Sequence, residues 1–227
     1  MRRIELIDLW RSLCVFAMIA YHTLYDLAML GAISEATLRT APVLAVRLFA
    51  MLGFILISGI SARLSGSGIR RGFFVLCAGL GVSIVSALAG LPVKFGILQL
   101  LGCSMIIYGA ARDRIDRLGD ALPWLCAVSF CAGLYAYFNV RVSVGFLYPL
   151  GLRTPDFYSA DYYPLVPWLF LFLFGTWLGG YIIKYSQAGL MNRSFPRLLT
   201  FAGRHSLAVY LLHQPVIYGV CLLALGK

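Results

Sequence analysis

The chain has 227 residues, of which 61% are hydrophobic and 12% charged, with a mean hydropathy of +0.86 and a formal net charge of +10. So few charges cannot cover the surface of a soluble domain of this size, which excludes one and points to a polytopic membrane protein. The cations lie mainly in short connections between apolar runs, an arrangement set by membrane topology that excludes a nucleic-acid partner.

Those runs predict an all-α, polytopic integral membrane helix bundle of about seven transmembrane helices. The spans fall near residues 9–30, 42–62, 72–91, 94–111, 121–138, 164–183 and 201–223. No separate soluble domain fits between them, so residues 1–227 are expected to form a single transmembrane domain. The first run is too long for a signal peptide, carries ionisable groups and lacks a small-residue cleavage site, so it reads as a retained helix. With the N-terminus cytoplasmic, inside segments hold 12 of the 19 Lys and Arg residues, outside segments hold 5, and Arg11 and Arg47 fall within spans. This is the positive-inside bias, and it places the C-terminus on the far side. Six cysteines lie scattered in apolar runs without a CxxC pair and read as small buried hydrophobes.

The first span carries polar residues that a lipid-facing helix avoids. At about 100° per residue, Asp8, Arg11, His22 and Asp26 fall within a sector of about 60°, opposite an apolar face. The stripe must point into the protein. Asp8 and Arg11 stand i, i+3 and can pair; Asp26 stands i+4 from His22, within reach of an imidazole N–H. His22 lies roughly 16 Å beyond Arg11 along the axis, at midplane depth. An Asp or Arg at a helix centre costs roughly 2.5–3.5 kcal/mol on insertion scales, so such residues mark a paired or wet site. The plainer alternative is a cap pair (Asp8–Arg11) and a packing clamp (His22–Asp26).

Further along, Arg47 sits about one turn into the second span, on the outer side of this topology, as a partner for Asp26, an acceptor-side contact or a snorkelling cation. The connection SARLSGSGIRRG joins flexible backbone to Arg63, Arg70 and Arg71, which suits an anionic ligand such as a phosphate; ordinary positive-inside charge is the alternative for Arg70 and Arg71. Spans three and four meet across LPVK, a tight antiparallel hairpin. The outside connection 139–163 is rich in Tyr, Pro and Gly and holds Asp156 and Asp161. It reads either as an acceptor-side loop or as an interfacial aromatic belt. The last span places His213 and Gln214 side by side before Pro215. That proline removes a backbone donor, so the helix is expected to loosen at Leu211 and expose a carbonyl beside His213. His213 is a second site candidate, with a buried histidine bonded to a neighbouring helix as its alternative. Arg204 and His205 precede that span. No close-spaced metal motif occurs, and no metal is expected from His22, Asp26 and His213.

The segment IDLWRSLCVFAMIAYHTLYDL, Ile7 to Leu27, resembles the opening of bacterial membrane proteins related to heparan-alpha-glucosaminide N-acetyltransferase, within the transmembrane acyltransferases. The resemblance continues in FILISGIS (Phe54–Ser61), FGILQLLGCSM (Phe95–Met105), DYYPLVPWL (Asp161–Leu169) and GRHSLAVYLLHQPV (Gly203–Val216), and so covers nearly the whole chain. It implies a bacterial inner-membrane acyltransferase that takes an acetyl group from cytoplasmic acetyl-CoA and passes it to a hydroxyl or amine of an acceptor on the other side, a glycan or a small amine. It assigns the essential catalytic role to His22, as base or as acyl carrier. Asp26 and His213 are expected as catalytic residues beside it. Asp8, Arg11, Arg63, Arg70, Arg71, Arg204 and His205 are expected at the CoA mouth; Arg47, Gln99, Asp161 and Gln214 on the acceptor. Two positions depart from the family pattern: Ser12 follows Arg11 where glycine is usual, and Gln99 replaces a histidine. The expected partners are membrane lipids, acetyl-CoA and the acceptor, and a homo-oligomer is compatible with the sequence. The competing reading of the stripe is a proton relay in a proton-coupled transporter or flippase, with a structural membrane subunit behind it. The absence of a visible internal repeat weighs against a transporter.

Overall fold

The computed structural model describes residues 4–66, 68–185 and 194–226. Among them are eight α-helices: α1 (Glu5–Met29), α2 (Ala41–Leu64), α3 (Gly68–Leu88), α4 (Ile97–Asp116), α5 (Leu122–Asn139), α6 (Leu165–Lys184), α7 (Arg197–Arg204) and α8 (Ser206–Leu225). The described residues form no strand, only isolated bridges of Phe95 with Tyr162 and Arg141 with Arg153. The protein is all-α, as its composition requires.

Six of these helical segments are long and apolar enough to cross a membrane: α1, α2, α3, α5 with its leading turn, α6 and α8. Large apolar side chains such as Phe73, Val85, Leu88, Trp124 and Val128 stand exposed on them and meet lipid. The protein is therefore a multi-pass membrane protein. α4, expected as a span over 94–111, begins and ends later and carries Arg112, Asp113, Arg114 and Asp116 in its final turns. From its start to Tyr108 much of it is enclosed by protein, with Leu100, Leu101, Met105 and Tyr108 buried, so it needs less lipid-compatible surface. The expected span 201–223 is two helices, because the backbone breaks at His205 (φ −112°, ψ 26°) between α7 and α8.

The chain divides into two compact units, Met1–Ile57 with Ser186–Lys227, and Ser58–Tyr185; the division falls within α2. In the first unit, α1 packs against α7 and α8. Its first turn carries Glu5 and Asp8, anions at the positive end of the helix dipole. Gly53 of α2 rests on Cys14 and Trp10 of α1, an approach that leaves no room for a side chain.

In the second unit, α4 runs antiparallel to the first half of α3. Ile69 meets Gly109, Gly72 meets Gly102 and Met105, and Gly79 meets Leu98 and Gln99. Small residues let the two backbones close on each other, the packing that replaces hydrophobic drive inside a bilayer. Gln99 caps the start of α4: its Oε1 accepts from the Gly96 N–H at 2.6 Å, and its Nε2 donates to Ser83 Oγ at 2.6 Å. α5 packs on α6, and α6 on α4. The final turns of α2 meet α6 where Gly59 faces the Phe172 carbonyl and Gly179 faces Arg63 and Ile60.

Candidate active site

The polar stripe of α1 splits between two partner helices of the first unit. Its beginning is bound to α7. Arg11 Nη1 donates to Asp8 Oδ1 at 3.3 Å and to the Gly203 carbonyl at 3.2 Å. Arg204 Nη2 pairs with Glu5 Oε1 at 3.2 Å, and its Nε lies 3.7 Å from Asp8 Oδ2. Ser12 Oγ accepts from the Gly203 N–H at 2.7 Å, and Glu5 Oε2 accepts from the Phe195 N–H at 2.7 Å. Asp8 and Ser12 are buried. The expected Asp8–Arg11 pair is present, inside a larger network.

Further along α1, His22 and Asp26 meet α8. His22 Nδ1 lies 2.8 Å from His213 Nε2, with ring centroids 4.8 Å apart. His213 Nδ1 lies 2.5 Å from the Tyr210 carbonyl oxygen. Asp26 Oδ1 accepts from Gln214 Nε2 at 2.7 Å. Thus Asp26 does not take the His22 N–H, although helix spacing allows it. α8 offers both residues closer partners, a ring for the ring and an amide for the carboxylate. The structure also gives Asp26 this neutral partner in place of Arg47, whose guanidinium lies 5.5 Å over the Tyr21 ring, one residue from His22. α8 continues through Pro215 without loosening. The carbonyl that serves His213 is that of Tyr210, three residues back, instead of Leu211.

Two buried oxygens at this site have no hydrogen-bond partner among the described residues: Asp26 Oδ2 and Gln214 Oε1. Both can only accept if Asp26 is ionised, and a buried acceptor left unpaired costs about 1–3 kcal/mol. A donor group suits them: water, a hydroxyl or an amine. His22 is only partly buried, and its Nε2 has no partner among the described residues. A histidine nitrogen and two orphan acceptors about one helical turn apart are what a transfer to a hydroxyl or amine needs, a base beside sites for the nucleophile's hydrogens.

The remaining expected residues lie as follows. His205 is exposed at the break between α7 and α8, its ring 4.8 Å from Phe201. In the second unit, Arg63 is ion-paired with Asp116 and donates to Tyr108 Oη at 3.3 Å. Arg70 and Arg71 are exposed, and Arg70 lies over the Phe74 ring at 5.9 Å. Gln99 uses both ends of its amide at the α4 cap, and Asp161 lies close to Gly96 beside that cap. Sequence reasoning missed the structural use of Ser12, the Glu5–Arg204 pair and the Tyr210 carbonyl. Ser12 left a signal, a hydroxyl beside Arg11 on an apolar helix; a backbone carbonyl leaves none.

A sequence profile of the heparan-alpha-glucosaminide N-acetyltransferase catalytic region matches residues 3–215. The chain belongs to that family. No curated protein and no solved structure gave a match. The heparan-alpha-glucosaminide N-acetyltransferase family is one of transferases, and with its apolar helices the chain is a membrane acetyltransferase. The match begins before Glu5 and runs through His213 and Gln214, so both sides of the histidine pair lie inside it.

Proposed function

We propose that this membrane acetyltransferase, acting as one domain over residues 1–227, moves an acetyl group from cytoplasmic acetyl-CoA to a hydroxyl or amine of a sugar-containing acceptor on the other side, with His22 as catalytic residue. The observation that carries this reading is His22 itself. It is an imidazole on the protein-facing stripe of an apolar helix, held at Nδ1 by a second histidine and with no partner at Nε2 among the described residues. Acyl transfer calls for a proton acceptor beside the nucleophile, and a neutral imidazole nitrogen supplies one.

The other residues take roles that follow from their chemistry. Asp26 Oδ2 and Gln214 Oε1 receive the acceptor's hydrogens and aim its lone pair at the thioester carbon. Arg47 stands near that end of α1 as a contact for an anionic or hydroxylated acceptor, with Gln99 and Asp161 as acceptor-side candidates in the second unit. At the cytoplasmic mouth, Arg11 and Arg204, oriented by Asp8 and Glu5, and His205 beside them offer cationic contacts to the CoA phosphates; Arg63, Arg70 and Arg71 are further candidates. Acetyl-CoA supplies the activated acyl group.

The test is acetyl transfer by the purified protein in nanodiscs. Release of CoA thiol from acetyl-CoA is followed with and without glucosamine as acceptor, for wild type and His22→Asn. Acceptor-dependent release that falls at least about a hundredfold in the variant is expected, the scale of a lost acid–base group. Equal rates in the two proteins, with both folded, overturn the assignment of His22.

A further inference from the structure

We infer that His213 is a positioning residue that sets the tautomer of His22: the Tyr210 carbonyl fixes the proton of His213 on Nδ1, and His213 Nε2 in turn fixes the proton of His22 on Nδ1, leaving His22 Nε2 as the reacting nitrogen. The inference rests on the reading of His22 as catalytic and goes beyond it in naming the atom that reacts and the group that shares its charge.

The chain of donors and acceptors has one neutral solution. A carbonyl oxygen can only accept, so the 2.5 Å contact requires His213 Nδ1 to carry hydrogen. A neutral imidazole with Nδ1–H presents a lone pair at Nε2. That lone pair faces His22 Nδ1 at 2.8 Å, so the hydrogen between the rings belongs to His22. The alternative, with hydrogen on both nitrogens of His213, places a net charge on a side chain only 8% exposed. His22 then has Nδ1–H toward His213 and a lone pair at Nε2, the nitrogen without a partner among the described residues. Histidine tautomers are commonly set this way, by the hydrogen bond that the other nitrogen makes.

The arrangement gives the transfer a complete proton path. The acceptor's oxygen or nitrogen bonds to the thioester carbon while its proton passes to His22 Nε2. The carbon–sulfur bond breaks, and the sulfur leaves with that proton, giving the acetylated acceptor and CoA thiol. While Nε2 holds the proton, the positive charge is shared through Nδ1–H with His213, whose own Nδ1–H stays on Tyr210. His213 touches neither substrate; it acts through His22.

The decisive measurement is nitrogen NMR of the protein labelled at its three histidines, without substrate. His22 is assigned by its loss in His22→Asn. In wild type, His22 is expected to show a protonated Nδ1 and a bare Nε2. His213→Ala should turn His22 into a mixture of tautomers and slow transfer roughly ten- to a hundredfold, as loss of an orienting partner does at other histidine sites. His213→Gln, whose amide oxygen still accepts from Nδ1–H, should restore the single tautomer and part of the rate. A bare Nδ1 in wild-type His22, or an unchanged His22 signal in His213→Ala, overturns the inference. The nitrogen signals are read without acetyl-CoA. A protein that releases no CoA thiol would therefore sink the catalytic reading while the tautomer stands or falls separately.

Discussion

Gly203 shows how tightly individual residues are constrained here. Its backbone N–H is taken by Ser12, its carbonyl by Arg11, and a Cβ built on it would overlap the Asp8 carbonyl. The overlap is with backbone, which cannot swing away as a flexible side chain would. Gly203→Ala is therefore expected to force α7 from α1 and to cost about 1–3 kcal/mol, the scale of overpacking, read as a lowered midpoint of thermal unfolding in detergent. Ser12→Ala leaves the space intact but takes the acceptor from the buried Gly203 N–H, a loss of about 1–3 kcal/mol with α7 still seated on α1. This residue network also explains what the sequence could and could not reveal. Asp8 and Arg11 are three residues apart, and helix geometry alone predicts their pairing. His22–His213 and Asp26–Gln214 join residues 191 and 188 positions apart, and no local periodicity encodes such a contact. Helical spacing made His22–Asp26 the nearest available pair; tertiary packing supplied better ones.

At the level of whole elements, apolar length located the membrane helices well, because the bilayer sets that length. It failed at two ends. The break at His205 is invisible to hydropathy, since the residues on both sides are apolar enough to read as one run. The displaced α4 is legible only once α3 is known to cover it. For the connection between α5 and α6 the sequence allows an acceptor-side loop or an aromatic belt, and its structure is an ordered aromatic cluster. Arg153 lies 4.1 Å over the Tyr137 ring and 5.7 Å from that of Tyr162; Phe157 stacks on Tyr148, and Tyr162 Oη donates to the Tyr148 carbonyl at 2.5 Å. Burial holds the Tyr162 phenol above its ordinary range, against the pull of the nearby Arg153 guanidinium. The folded loop thus keeps that proton where the open chain has begun to lose it. Its stabilising effect is complete below the ordinary phenol value of about 10 and fades as pH rises beyond it. Ultraviolet difference titration should show Tyr162 among the last tyrosines to ionise, with that late component absent in Tyr162→Phe.

For the whole molecule, the open count is whether α4 crosses the membrane. Six crossings put both termini on one side; seven put them on opposite sides. α4 runs antiparallel to the first half of α3, from Ile69–Gly109 to Gly79–Gln99. If α4 crosses with α3, reporters fused to the two ends read opposite compartments, and the positive-inside bias predicts the N-terminal one to be cytoplasmic. Same-side reporters would mean that α4 is not a crossing helix. The same hairpin bears on how the chain enters the membrane during synthesis. A helix carrying Gln99, Ser104 and a charged final stretch is a poor substrate for the translocon by itself. α3 emerges from the ribosome first, with glycines already spaced to receive it. α4 would then leave the insertion channel against a protein surface in place of lipid, its polar groups satisfied as it arrives. A bulky residue at Gly72 or Gly102 would be felt during biogenesis, as chains cleared by quality control, before any loss could be measured in the finished enzyme.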